Sequence, residues 1–303
     1  MKIDIKGIKN LAIYIFLRVL LGIVNSLPLT TAYLWAGKLG LLSYYIFPGD
    51  RRTALDNLRL SLAAKSKEDL KAIYRKSLEN IGYSVVDVLR FGKLSKDDIR
   101  DMVEVSGLEH FDQAYKKSKG VVALTGHISN FELIAAWFGQ SGYKSAAVGR
   151  KIYDERLNRL LINNRYAMKV LNIDSEAPVK EFLKVLRDGY AVGVLIDQDS
   201  RRYRGEFVDF FGKPAYTPIG PILLAWAAKA AVLPLAIIRK SPARYRLTIY
   251  PEIAFDYHAD REAEIKRVLA LATKILEGVI KENPEHWVWM HKRWRTKPGT
   301  IEK

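Results

Sequence analysis

The chain has 303 residues, with 49 Lys and Arg against 33 Asp and Glu for a formal charge of +16, and no cysteine. That length can bury the core of one large domain or two small ones, and the lack of cysteine excludes disulfides, thiolate metal sites and a cysteine nucleophile. The positive balance points to anionic partners, namely nucleic acid, acidic proteins or phospholipid headgroups, without choosing among them.

Within the N-terminal segment 1–48, residues 11–47 are almost wholly apolar, interrupted by Arg18, Lys38 and the break at Pro28. The first block, Leu11 to Val24, is shorter than the ~20 residues of a usual bilayer span, and Arg18 in its middle has to snorkel or face protein. The segment reads as a membrane anchor that spans the bilayer, folds as a hairpin or lies in plane. Lys2, Lys6 and Lys9 before it and Arg51 and Arg52 after it leave both ends compatible with the cytoplasm. The plainer reading is a buried helix pair of an ordinary folded domain.

From residue 49 to 303 the chain reads as one domain. Leu70, Ile73, Tyr74, Leu78, Ile81, Val85 and Val88 recur at helical spacing behind a Ser66 N-cap, which predicts an amphipathic helix over 66–91. "GLEHFDQAYKKSKG" reads as a helix, "VVALT" as a buried strand, "NFELIAAWFGQSG" as a helix and "KSAAV" as a strand. "YDERLNRLLINNRYAM" and "VKEFLKVLRDG" read as helices, "YAVGVLI" as a strand, "IGPILLAWAAKA" as a helix and "AVLPLAII" as a strand. One alternating strand, "RYRLTIYPEI", and a helix over 260–282 follow. Strands alternating with helices imply an α/β fold with a largely parallel central sheet flanked by helices.

Ligands of such sheets gather beyond the carboxyl ends of the strands. His127 lies there, two residues past "VVALT", with Glu132 five positions on. Five residues turn an ideal helix through ~500°, so the two cannot share a helix face. His127 therefore belongs to the turn and Glu132 to the first helical turn, from which a carboxylate can reach back to the imidazole and stabilise it as a general base. The same letters, "SNFE", also fit a capping box with Ser129 as N-cap and Glu132 bonding back to its N–H. The two readings are compatible.

"GHISNFE" resembles the H-x4-D/E box of glycerolipid and lipid A acyltransferases, and the chain resembles the bacterial lipid A late acyltransferases, the lauroyl/myristoyl transferase family. "VGRKIYDERLNRLLINNR", "GYAVGVLIDQDSRRYRGEFVDFFGKPAYTPIGP", "AVLPLAI" and "NPEHWVWMHKRW" follow in that family's order. The resemblance implies a glycerolipid-acyltransferase-like fold and a membrane-associated O-acyltransferase at the cytoplasmic membrane, its site facing the cytoplasm. The donor would be an acyl carrier protein or coenzyme A thioester, and the acceptor a hydroxyl of a phosphorylated lipid. It implies no cofactor, no metal and no nucleic acid. His127 is then the base and Glu132 its orienting partner.

Substrate contacts are expected from Arg150, Arg165, Arg202 and Arg204, whose guanidinium groups bind phosphate or steady developing negative charge, and from Asp197, which positions an arginine or lysine or simply caps a turn. Arg201, Arg202, Arg204 and Lys213 sit among aromatics, of which Phe207, Phe210 and Phe211 suit acyl contact or core filling. Trp287, Trp289 and Trp294 beside basic residues suit a membrane interface, while His286 and His291 read as surface or packing residues. Three other functions compete: acyl transfer to another glycolipid or aminolipid, a metal-dependent glycosyltransferase using Asp197-x-Asp199, and a non-enzymatic basic protein docked on membranes.

Overall fold

The computed structural model describes residues 5–300; Lys2 lies outside them. Helices α1 (Ile5–Ser26) and α2 (Leu29–Ile46) are joined by a short turn at Pro28. Arg90 donates to the carbonyls of Val24 and Leu27, both at 3.0 Å, and so satisfies acceptors that the end of α1 leaves open. α3 (Pro48–Ser61) follows, then α4 (Lys67–Arg90), which begins at the expected Ser66 cap, closed by Asp69 into a capping box. α2 packs on α4 backbone to backbone. A Cβ at Gly40 would stand 2.3 Å from the Leu78 carbonyl, and one at Gly82 would stand 2.3 Å from that of Ala36, so the crossing requires glycine on both helices.

No helix among the described residues is long and apolar enough to cross a membrane, so the spanning alternative for the anchor finds no support. Arg18 and Lys38 interrupt the two apolar blocks, and Pro28 divides them. Phe16, Val19, Leu34, Trp35 and Leu39 of these two helices, and Phe47 just after them, are nevertheless exposed.

The rest of the chain alternates strands and helices: α5 (Lys96–Met102), β1 (Val103–Ser106), α6 (Leu108–Lys116), β2 (Val121–Thr125), α7 (Glu132–Gln140), β3 (Ser145–Gly149), α8 (Glu155–Ala167), β4 (Val170–Asp174), α9 (Val179–Arg187) and β5 (Ala191–Leu195). After a hairpin of β6 (Gly205–Phe210) and β7 (Lys213–Pro218) come α10 (Gly220–Ala228), β8 (Ala231–Ser241), β9 (Arg244–Ile249) and α11 (Arg261–Glu282). Seven strands form one sheet in the order β1-β9-β8-β2-β5-β3-β4, parallel except for the β8–β9 pair. The expected α/β fold with a largely parallel sheet flanked by helices is the one observed. Pro234, which lacks a donor, stands where β8 leaves its pairing with β2 and continues beside β9 alone.

Pleating sorts β2 between two layers. Val122 and Leu124 join the core that includes α9, α10, α11 and the C-terminal segment, while Val121 and Ala123 join the core formed with α5, α6 and α7. The basic loop expected over 201–213 is in large part the β6–β7 hairpin, and Phe210 and Phe211 are buried in the core rather than turned toward lipid. Trp287, Trp289 and Trp294 are buried as well, which corrects their placement at a membrane interface. The indole of Trp289 donates to the Pro284 carbonyl and that of Trp287 to Asp197. The C-terminal tail is thereby an internal wall of the site.

Candidate active site

β2 and β5 are parallel neighbours in register, with Thr125 opposite Leu195. The turns that follow them emerge side by side at the carboxyl edge of the sheet, and His127 and Asp197 meet there. The Asp197 Oδ1 lies 2.8 Å from His127 Nδ1, and Oδ2 accepts from the His127 backbone N–H and the Trp287 indole, both at 2.7 Å. Gly126 makes room for this approach, since a Cβ there would meet the Asp197 carboxyl group at 3.0 Å. Asp197 is fully buried at its side chain. Burial pushes its pKa up, but the charge of His127 and the hydrogen bonds from His127 and Trp287 outweigh that and hold the carboxyl well below the usual carboxylate range. A carboxylate on Nδ1 fixes the tautomer that leaves Nε2 as the basic nitrogen.

This arrangement corrects two expectations. Asp197 orients the histidine rather than an arginine or lysine, and no hydrogen bond joins His127 to Glu132. Glu132 instead forms a bidentate pair with Arg165, with Nη2 at 2.6 Å from Oε1 and Nε at 3.0 Å from Oε2. Arg165 also donates to Asn172 and to the Ala147 carbonyl. Its guanidinium is thus engaged inside the protein and is not free for a substrate phosphate. The reason is topological: Arg165 ends α8 beneath the first turn of α7, nearer to Glu132 than the imidazole is.

The capping box does not form either. α7 begins at Glu132 with no side-chain cap, and Ser129 adopts a left-handed φ of 51°. Its N–H donates to the His286 carbonyl and its Oγ accepts from the Arg239 N–H, so Ser129 is stitched to β8 and to the C-terminal segment. A non-glycine residue in that region is strained unless its surroundings hold it, and here two hydrogen bonds do.

The remaining basic residues lie farther out. Arg150 and Arg202 both approach Glu176, at 4.0 and 3.0 Å, and Arg204 pairs with Glu262 at 3.3 Å; all three arginine side chains are exposed. No hydrogen bond or ion pair links them to His127. Asp199 accepts from the Thr296 N–H and hydroxyl and from Arg295, so the two aspartates of "DQD" face different protein donors, contrary to a shared metal site. Among the described residues no group of three or more His, Asp or Glu is arranged to hold a metal ion.

Of the two C-terminal histidines, His286 packs in the interior and His291 is half-buried beside the site. His291 lies with its ring centroid 5.0 Å from that of His127, bridged by Gln198. Burial, followed by the charge of His127, pushes His291 down to about 4; burial and the charges of Arg239, Lys240 and Lys76 push His286 down to about 4. No local pattern announces these placements: His291 and Gln198 stand 93 positions apart.

Beneath the first turn of α7 runs an apolar seam lined by Ala123, Ala135, Ala147, Ala191, Gly193 and Leu235, with Glu132 and Arg165 in its wall. Its free volume is about 40 Å³, enough for a few water molecules and not for an extended acyl chain.

Residues 6–296 match the family described as bacterial lipid A biosynthesis acyltransferase. The chain is 24% identical over 278 residues to a lipid A biosynthesis palmitoleoyltransferase of Escherichia coli (strain K12), covering 90% of this chain and 88% of that one. It is 28% identical over 224 residues to a phosphatidylinositol mannoside acyltransferase of Mycobacterium tuberculosis (strain ATCC 25618 / H37Rv), covering 72% and 69%. Among solved structures it is similar to the 1-acyl-sn-glycerophosphate acyltransferase PlsC of Thermotoga maritima, with a TM-score of 0.39, 15% identity and coverage of 81% and 96%.

Proposed function

The chain belongs to the bacterial lipid A biosynthesis acyltransferase family, and on that footing we propose that this acyltransferase moves a fatty acyl chain from an acyl carrier protein or coenzyme A thioester to a hydroxyl of a lipid A precursor. The observation that carries the mechanism is the His127–Asp197 pair at the carboxyl edge of β2 and β5. His127 Nε2 takes the proton of the acceptor hydroxyl as its oxygen attacks the thioester carbonyl, forming a C–O bond and an oxyanion. Asp197 stabilises the resulting imidazolium. When the intermediate collapses, the C–S bond breaks and His127 returns the proton to the departing thiolate. Direct attack suits a chain without cysteine, and the Ser129 hydroxyl is held by Arg239 away from a nucleophile's role.

Arg150, Arg202 and Arg204 form an exposed basic margin for the phosphates of the acceptor or for an acidic carrier protein. The exposed apolar face of α1 and α2, with Trp35 and Phe47, lies in the cytoplasmic leaflet's interface rather than across the bilayer. The apolar seam beneath α7 is the candidate site for the acyl chain, which needs more room than its present free volume. The relative that acts on a phosphatidylinositol mannoside supports a second reading, in which the acceptor is another glycolipid.

The test is an assay of the purified protein with acyl thioesters of graded length and either a lipid A precursor or a phosphatidylinositol mannoside. A mass increase of one acyl chain on the lipid A precursor, lost in His127→Ala, is the expected result. Transfer to the mannoside alone selects the second reading, and transfer by His127→Ala at the native rate overturns the mechanism.

A further inference from the structure

Gln198 follows Asp197 in the loop after β5, and its carboxamide lies between two imidazoles. The amide nitrogen is 2.9 Å from His291 Nε2, and 3.0 and 3.3 Å from Nε2 and Nδ1 of His127. Nearly equal distances to nitrogens on either side of Cε1 put it over the face of the His127 ring rather than along a ring lone pair. The Nδ1 proton already points at Asp197, so the in-plane direction at Nε2 is left open to a substrate hydroxyl. Phe131 meets the ring nearly edge-on, with centroids 5.1 Å apart. Burial keeps His291 neutral, with a pKa near 4, and in its Nδ1–H tautomer Nε2 has a lone pair to accept the amide proton.

A ring held by one hydrogen bond at Nδ1 keeps freedom to rock about that bond, and a misplacement of about 1 Å at a reacting atom can cost 10²-fold in rate. We propose that Gln198, anchored on His291, is a positioning residue: its carboxamide covers one face of His127 and fixes the ring plane so that Nε2 faces the acceptor hydroxyl. This role rests on the reading of His127 as the base. It assigns a task to Gln198 and His291 that the Asp197 contact does not perform, because Asp197 sets the tautomer and Gln198 sets the tilt.

The experiment is steady-state kinetics with an acyl carrier protein thioester and a lipid A precursor. The variants are Gln198→Met, which keeps the volume and removes the donor, Gln198→Ala, His291→Phe, His291→Gln and the double variant Gln198→Met/His291→Phe, each first shown by its melting curve to be folded. Gln198→Met and His291→Phe are each expected to lower kcat about tenfold with KM for both substrates within twofold. The double variant falls no further than the worse single one. His291→Gln, which offers an amide oxygen as acceptor, regains most of the loss. Additive losses, a change confined to KM, or His291→Gln as slow as His291→Phe would overturn the proposal. His127→Ala separates the two levels. If it is inactive while Gln198→Met and Gln198→Ala keep native kcat, only the positioning role falls; if it is fully active, the base assignment falls and takes the positioning role with it.

Discussion

Asp197 Oδ1 lies 2.8 Å from His127 Nδ1, although the two residues are 70 positions apart. They meet because β2 and β5 are parallel neighbours in register, so the first residues past each strand share one edge of the sheet. The pair has the geometry of a base and its orienting carboxylate.

Replacing Asp197 with Asn keeps the shape and offers an amide N–H to Nδ1, which favours the wrong tautomer. We expect kcat to fall by about 10³-fold with smaller changes in KM, by analogy with the loss of the orienting carboxylate in a serine-protease triad. Steady-state kinetics check this, and a loss below tenfold would remove Asp197 from the mechanism.

Glu132→Gln leaves the Arg165 guanidinium, 8% exposed at its side chain, without its carboxylate. Removing one member of a buried pair costs about 3 kcal/mol, read as a lower denaturant midpoint at unchanged slope. The double variant Glu132→Gln/Arg165→Met recovers part of that loss, because it also removes the uncompensated charge.

Acid lowers stability through His286 and His291. Both are held near 4 when folded and return to about 6.5 when unfolded. Between those values the unfolded chain binds more protons, so stability falls as pH drops from 6.5 toward 4, by up to about 1.4 kcal/mol per pH unit for each histidine. The depressed Asp197 acts lower, its contribution being present above the unfolded carboxylate pKa of about 3.9 and lost as pH falls through its folded value. Melting temperatures over pH 4–7 should show the slope, and His291→Gln should flatten it.

Gly193 gives the seam its width. A Cβ there meets nothing nearer than 3.6 Å, so Gly193→Ala should fold normally. Gly193→Leu fills the seam and is expected to shift donor preference toward shorter acyl chains, measured as the ratio of kcat/KM for long and short thioesters. An unchanged ratio would place the acyl chain elsewhere.

Much of the fold is legible in the residues. β2 and β5 are apolar runs bounded by turns, and the Ser66 cap fixes where α4 starts. β4 escapes notice because only two of its five residues are buried, and the β6–β7 hairpin because its charges and aromatics read as a basic loop. Within the site, His127 is visible as the residue that ends a strand at the ligand edge. Its partner is not, because local spacing favours Glu132, five positions away, over Asp197.

The sequence by itself determines the α/β alternation, the place of His127 after β2 and the acyltransferase signature carried by its ordered blocks. The tertiary structure decides which carboxylate serves that histidine. Strand register sets Asp197 against Nδ1, the end of α8 draws Glu132 to Arg165, and the C-terminal tryptophans become the inner wall of the site rather than a membrane belt. Hydrogen bonds act over about 3 Å, so which groups pair depends on how strands and helices are stacked, and spacing along the chain is silent on that.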